Sequence, residues 1–300
     1  MHTSVLLKES IEYLNLKPDS IIVDCTLGYG GHSSEILKQI PNGYLYAFDQ
    51  DKRAIKEAKI KLEKVGNNFK IINDNFEHLK EYINEVDGIL FDLGVSSPQL
   101  DEAERGFSFH NDATLDMRMN ESNSLSALTV VNEYSESDLI KIFRDYGEEK
   151  YAVSIARGIV KARENKKIET TLELVEIIKG NVPMKYSRDK HPARKVFQAI
   201  RIEVNNELNV FKIALTDALS KIKIGGRVCV ITFHSLEDRI CKQIFKEVST
   251  VASEFKKLPI LPKEYEPKFN LVANIEPTEK EVLENPRARS ARLRVIERRM

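Results

Sequence analysis

Ile21-Ile22-Val23-Asp24-Cys25-Thr26-Leu27-Gly28-Tyr29-Gly30-Gly31-His32 is the stretch whose reading decides the fold. An apolar run that empties into a glycine-rich turn and then a helix is the nucleotide-binding corner of a doubly wound α/β sheet. The second half of the signal lies downstream. Tyr44-Leu45-Tyr46-Ala47-Phe48 reads as the next strand and ends in Asp49, eighteen residues after Gly31. A carboxylate at that strand tip can accept hydrogen bonds from the hydroxyls of an adenosine ribose. Together the two features mark an adenosine-containing cofactor.

The turn itself selects among such cofactors. A dinucleotide fingerprint places glycine at three positions, G-x-G-x-x-G, so that backbone amides and a helix N-terminus meet the pyrophosphate. Here Gly28 and Gly30 are present, but the third position is Ser33, and an acid, Asp24, opens the motif. S-adenosylmethionine carries no phosphate. Its methionine part brings an ammonium and a carboxylate, which need an acidic or carbonyl acceptor and close backbone approach. Asp24 with Gly28, Gly30 and Gly31 suits that cargo. A ligand-free βα turn would explain the glycines but not Asp49.

Bulk properties set the bounds. Three hundred residues suffice for two domains or for one domain with a large insertion. No apolar run approaches the roughly 20 residues that span a bilayer, and no signal peptide is expected. The three cysteines have neither zinc nor disulfide spacing, which suits a reducing cytoplasm, and no His/Cys/Asp cluster has metal-ligand spacing. Lys+Arg 46 balances Asp+Glu 46, but the balance is uneven along the chain. Residues 185–201 hold six Lys/Arg against Asp189, and residues 285–300 hold six Arg against Glu297.

A coarse pass orders the elements. Ser4 is expected to cap a first helix carrying Val5, Leu6, Ile11 and Leu14, and residues 52–65 place Ile55, Ala58, Leu62 and Val65 on one helical face. Residues 69–72, 86–92 and 226–233 read as the third, fourth and fifth strands, with a helix over 201–222 before the fifth. Residues 269–273 and 293–296 read as a final antiparallel pair. A βαβ crossover needs about 30 residues, yet Asp92 and Arg227 are 135 positions apart. The intervening residues 136–143, 150–163 and 172–178 read as helix, and a structureless loop of that length is improbable. An inserted helical domain at the C-terminal edge of the sheet follows, placed to recognise a substrate.

The chemistry is expected where the fourth and fifth strands end. Asp92-Leu93-Gly94-Val95-Ser96-Ser97-Pro98-Gln99 follows the fourth. Methyltransferases acting on exocyclic amines of bases carry a (D/N/S)-P-P-(Y/F) segment here, and Ser97-Pro98-Gln99 matches it in part. The amine lone pair of cytosine or adenine is delocalised into the ring. Acceptors gripping its N–H bonds, here Asp92, Ser97 and carbonyls beside Pro98, free that pair for a sulfonium methyl. Alignment then does most of the work, worth up to roughly 7–11 kcal/mol in well-oriented systems.

Several runs together resemble one family. Residues 92–100, 105–109, 115–119, 191–193, 197–201, 231–239 and 287–291 are similar to the RsmH (MraW) family of small-subunit rRNA cytosine-N4 methyltransferases, and the likeness covers essentially the whole chain. The resemblance implies an α/β fold: the Rossmann-like sheet of class I S-adenosylmethionine-dependent methyltransferases with an inserted all-helical domain. The expected division is 1–104 and 196–300 for the methyltransferase domain, with 105–195 as the insertion. It further implies a bacterial cytoplasmic enzyme acting on a 16S rRNA cytosine near the P site of the small ribosomal subunit. Cofactor roles carry over to Gly30, Gly31, His32, Asp49, Phe76, Asp92 and Gln99. Catalytic roles fall to Asp92, Ser97 and Pro98.

Other residues carry two readings. Phe107 and Phe109 either stack on an extruded cytosine or pack the insertion. Ser235 with Asp238 is a helix-start pattern, and His234 beside it can touch the target nucleotide. Arg188, Arg194 and Lys195 lie where an RNA backbone would pass, although a charge run is more often a solvated face. Cys25, Cys229 and Cys241 read as core. Membrane and metal partners are not expected, and either a monomer or a homodimer is compatible. Two rival classes share the fold: a nicotinamide-dependent oxidoreductase, which would want glycine at Ser33, and a non-catalytic RNA-binding assembly factor.

Overall fold

The computed structural model describes residues 4–189, 191–251, 255 and 262–300; the side chains of residues 97, 187–189 and 264 lie outside that description. The chain forms two compact units, Met1–Gly94 with Leu208–Met300, and Val95–Glu207.

The first unit is built on one sheet of order β3-β2-β1-β4-β5-β7-β6. Its strands are β1 Ile21–Asp24, β2 Tyr44–Asp49, β3 Phe69–Asn73, β4 Val86–Asp92, β5 Ile222–Thr232, β6 Phe269–Ile275 and β7 Arg292–Arg298. The first five run parallel, and β7 inserts antiparallel between β5 and β6. This is a Rossmann-like sheet, and its order reverses between β1 and β4, where ligands bind in such folds. The helices are α1 Leu7–Tyr13, α2 Gly31–Gln39, α3 Lys52–Glu63 and α4 Leu79–Tyr82 early in the chain. The second unit contributes α5 Ser97–Asp101, α6 Ala127–Glu133, α7 Glu136–Asp145, α8 Ala152–Asn165, α9 Thr171–Gly180, α10 Met184–Asp189 and α11 Ala193–Asn205. The chain then gives α12 Glu207–Lys221, α13 Ser235–Ser249 and α14 Glu279–Glu284.

Alternation along the strands makes two cores from one sheet. Val23, Ile89, Phe91, Val228 and Val230 point to one face, where Phe211 and Leu215 of α12 and Ile244 and Phe245 of α13 cover them. Ile22, Leu90, Cys229, Ile231 and Val295 point to the other, under Ile11, Ile36, Leu37, Ala58 and Leu62. The second unit has its own core, centred on Val130, Leu139, Phe143, Ile155, Ile159, Leu174, Phe197 and Ile200. No helix among the described residues is long and apolar enough to cross a membrane.

Four details differ from the sequence reading. Ser4 does not cap α1: Leu6 takes that position in the left-handed region, and Ser4 lies against Gly31, where a Cβ would come within 1.9 Å of its Oγ. The helix expected over 201–222 is two helices, because Asn206 adopts φ 50° and breaks the turn between α11 and α12. The compact units divide at 94/95 and 207/208 instead of 104/105 and 195/196, since Val196, Phe197 and Ile200 of α11 are buried in the insertion's core. At α13 the helix start sits one residue earlier than expected. His234 is the N-cap, and Glu237 Oε2 accepts the Phe233 amide at 2.8 Å. Asp238 is thereby left to receive Arg294 at 2.7 and 3.0 Å.

Candidate active site

Three parallel strands end side by side in carboxylates: Asp24 on β1, Asp49 on β2 and Asp92 on β4. Each is used differently. Asp24 is 1% exposed and lies beneath the glycine turn, where Oδ2 accepts the Ser33 hydroxyl at 2.6 Å and Oδ1 the Thr26 amide at 3.0 Å. Burial raises its pKa, against the pull of those donors and of His32. Both oxygens are engaged by the turn, so the acid that opens the motif holds its shape. Ser33, the residue that breaks the dinucleotide fingerprint, is its partner.

Asp49 is half-buried and accepts the amides of Gly28 and Asp51, each at 2.8 Å. Burial, with the charges of Asp51 and Asp24, pushes its pKa to about 6 against the pull of those two amides. Gly28 and Gly30 turn the chain with φ 49° and 71°, a region that favours glycine. A Cβ on Gly28 would meet nothing nearer than the Thr26 carbonyl at 3.9 Å, so space is kept open over the turn.

Asp92 anchors its amide on Thr26 Oγ1 at 2.7 Å. Its Oδ2 stands 3.4 Å from His32 Nδ1, while Oδ1 is buried with no hydrogen-bond partner among the described residues. His32 is 4% exposed. Burial alone would lower its pKa, but the bond and charge of Asp92, with Asp24 and the Val5 carbonyl, raise it overall. His32 thus faces Asp92 and Asp24, and its contact with Oδ2 steadies Asp92. At the end of β3, Asp74 collects the Asn75 amide, the Tyr82 hydroxyl and His78 Nδ1 at 2.7, 2.8 and 3.1 Å. That fixes the turn carrying Phe76, whose ring meets Phe91 edge-on at 5.7 Å.

An adenosine-bearing cofactor fits these residues. Asp49 is a partly exposed strand-end carboxylate able to accept ribose hydroxyls, the turn leaves room above Gly28, Phe76 offers a ring, and Asp92 Oδ1 is an acceptor without a donor among the described residues. The model for the MraW methylase family matches residues 1–299. The chain belongs to the MraW methylase family.

It is also 54% identical over 305 residues to Ribosomal RNA small subunit methyltransferase H of Exiguobacterium sibiricum, covering 99% of this chain and 98% of that one. Among solved structures, an rRNA methylase from Streptococcus thermophilus is 12% identical with TM-score 0.46, covering 98% of this chain and 94% of that one. A Streptococcus mutans protein described as a methyltransferase and solved in complex with SAH is 13% identical with TM-score 0.45, covering 99% of both chains.

Most of the remaining expected residues of this methylase lie in the second unit. Ser96 caps α5, and Gln99 closes the capping box, its Oε1 accepting the Ser96 amide at 3.0 Å. Gln99 is 6% exposed, so a part of its amide that sequence reasoning gave to the cofactor is committed to the helix start. Pro98 occupies the first turn of that helix, where a missing N–H is tolerated. The side chains of Ser97 and Arg188 lie outside the described residues.

Phe107 is 5% exposed in the insertion's core, so packing accounts for it and its ring offers no face to a base. Phe109 keeps a partly exposed ring. Arg194 is exposed, whereas Lys195 donates to the Glu148 carbonyl at 2.5 Å. In the first unit, His234 Nε2 lies 3.1 Å from Glu237 Oε1. The arginines of β7 are structural: Arg294 pairs with Asp238, Arg292 with Glu276, and Arg298 donates to the Ile222 carbonyl. Cys25, Cys229 and Cys241 are all buried, and burial raises each thiol pKa, that of Cys229 to about 12. A cysteine adduct has no thiolate to use.

Proposed function

We propose that this methylase is an S-adenosylmethionine-dependent enzyme that methylates the exocyclic N4 amine of a cytidine in the decoding region of bacterial 16S rRNA, working in the cytoplasm. The observation that carries the reading is the row of strand-end carboxylates Asp24, Asp49 and Asp92, with Asp92 Oδ1 lacking a donor among the described residues. The name of the Exiguobacterium relative supports a small-subunit rRNA as substrate.

When bound, S-adenosylmethionine supplies a methyl group already activated on a sulfonium. The chain's own residues hold and orient. Asp49 accepts the ribose hydroxyls, Gly28, Gly30 and Gly31 let the backbone approach the methionine part, and Phe76 flanks the adenine. Thr26 and His32 fix Asp92 from its amide and from Oδ2, which leaves Oδ1 to accept an N–H. An acceptor at the amine draws the nitrogen lone pair out of conjugation, and the proton displaced on methylation passes to water. Ser97 and the carbonyls beside Pro98 complete the grip on the amine in this reading. Holding both reactants in line is the main catalytic contribution.

Small ribosomal subunits lacking base modification, incubated with labelled S-adenosylmethionine and digested to nucleosides, test the proposal. Label is expected in N4-methylcytidine. Cofactor binding without any transfer would support the rival assembly factor, and label in another nucleoside would correct the base or atom.

A further inference from the structure

Phe109, His110 and His191 form a ring cluster at the edge of the second unit's core, against which Phe109 packs. Phe109 stacks on His191 with centroids 4.5 Å apart and planes at 25°, and His110 lies against Phe109 at 4.4 Å. Behind them Phe197, 3% exposed, closes the core edge-on to Phe109 at 5.7 Å. His110 is exposed, and Phe109 and His191 are partly so. His191 Nδ1 accepts the Ala193 amide at 3.3 Å, which assigns the ring proton to Nε2 as a donor. Burial holds the His191 pKa below its ordinary value, and His110, Lys179 of α9 and Arg194 of α11 push it the same way. Lys179 has an exposed partner in Glu176 at 2.8 Å, a pair that solvent leaves weak.

From this geometry we infer that Phe109, His110 and His191, rimmed by Arg194 and Lys179, are a stacking surface for unpaired RNA bases whose phosphates meet the two cations. The inference rests on the rRNA reading above and names the part of the substrate the insertion takes. Aromatic and imidazole faces at a surface suit bases that are splayed out of a helix, and a duplex presents no such faces. The cations Arg194 and Lys179 suit the phosphates that come with them.

The test uses the full chain and a short unpaired oligoribonucleotide carrying 2-aminopurine, read by fluorescence quenching and anisotropy. His110→Ala removes an exposed ring and is expected to weaken single-strand binding about tenfold and to reduce quenching. His110→Tyr restores both. Phe109→Leu behaves as His110→Ala does, and calorimetric binding of S-adenosylhomocysteine is unchanged in each variant. Single-strand binding at the wild-type level in both His110→Ala and Phe109→Leu overturns the inference. So does an equal loss on a fully paired duplex, because the rings would then act through the fold. These outcomes are separate from the fate of the rRNA reading: a wild-type chain that methylates subunits while His110→Ala binds RNA normally sinks only the stacking surface.

Discussion

Asp49 is the residue whose ionisation reports the cofactor. Its carboxyl titrates near 6 in the folded chain against an ordinary value of 3.8, so the folded state holds that proton more tightly than the unfolded one. Its contribution to stability is therefore complete below 3.8 and falls away as pH rises towards 6. Ribose hydroxyls donate to the ionised form and reverse the preference, so binding releases a proton. Calorimetry with S-adenosylhomocysteine is expected to give tighter binding at about pH 7.5 than at about pH 5. Asp49→Asn should weaken binding about tenfold or more and remove most of that slope, since it cannot ionise. His32 has the opposite chemistry. Its pKa is raised above 6.5, so its pairing with Asp92 is fully present below 6.5 and fades as pH climbs through the raised value. Asp92→Asn keeps the shape of the side chain but removes its charge. Turnover is expected to fall about 100-fold, the scale of a lost alignment, while RNA affinity changes little. Parallel losses in both would count against its role at the amine.

Two junctions between elements carry the next expectations. In the β1-to-α2 turn, Ser33→Ala removes the hydroxyl that Asp24 receives at 2.6 Å in a buried setting. A loss of about 1–3 kcal/mol is expected, measured as a lower urea midpoint. At the α11-to-α12 junction, Asn206 sits at φ 50°. Asn206→Gly should be tolerated, and Asn206→Val should cost about 1–2 kcal/mol. The same junctions show what the sequence could and could not reveal. Strand ends and the glycine turn were legible because apolar runs stop at Asp24, Asp49 and Asp92, and each stop is local. The break at Asn206 was not, because Val204, Leu208, Phe211 and Leu215 continue a helical spacing straight through it. The strand expected over 226–233 begins earlier, at Ile222, a start that was hidden because the apolar run there is interrupted by Lys223, Gly225 and Gly226. In the site, Asp24 and Ser33 were both visible as departures from a dinucleotide motif. Their bond to each other was not, since a hydrogen bond across nine residues leaves no pattern in a sequence. Phe107 and Phe109 look alike in the chain, and only burial separates them.

At the scale of the whole molecule, the proposed cofactor site belongs to the sheet and the proposed RNA contacts belong to the insertion. Neutral overall charge makes the distribution of Lys and Arg the useful quantity, and the structure divides them. Arg294 pairs with Asp238 of α13, Arg292 with Glu276, and Arg298 and Lys195 each serve a backbone carbonyl. Arg194 remains exposed. Arg194→Ala should therefore lower the slope of log affinity against log salt by about 0.7 for unpaired RNA, and Lys195→Ala by less. An unchanged slope for Arg194→Ala would remove it from the phosphate contacts. The donor site is tested most directly by a crystal structure of the chain grown with S-adenosylhomocysteine. The account expects the ribose hydroxyls on Asp49, the methionine part over Gly28 and Gly30, and the sulfur facing Asp92. Density for the nucleoside anywhere other than the ends of β1, β2 and β4 would contradict it.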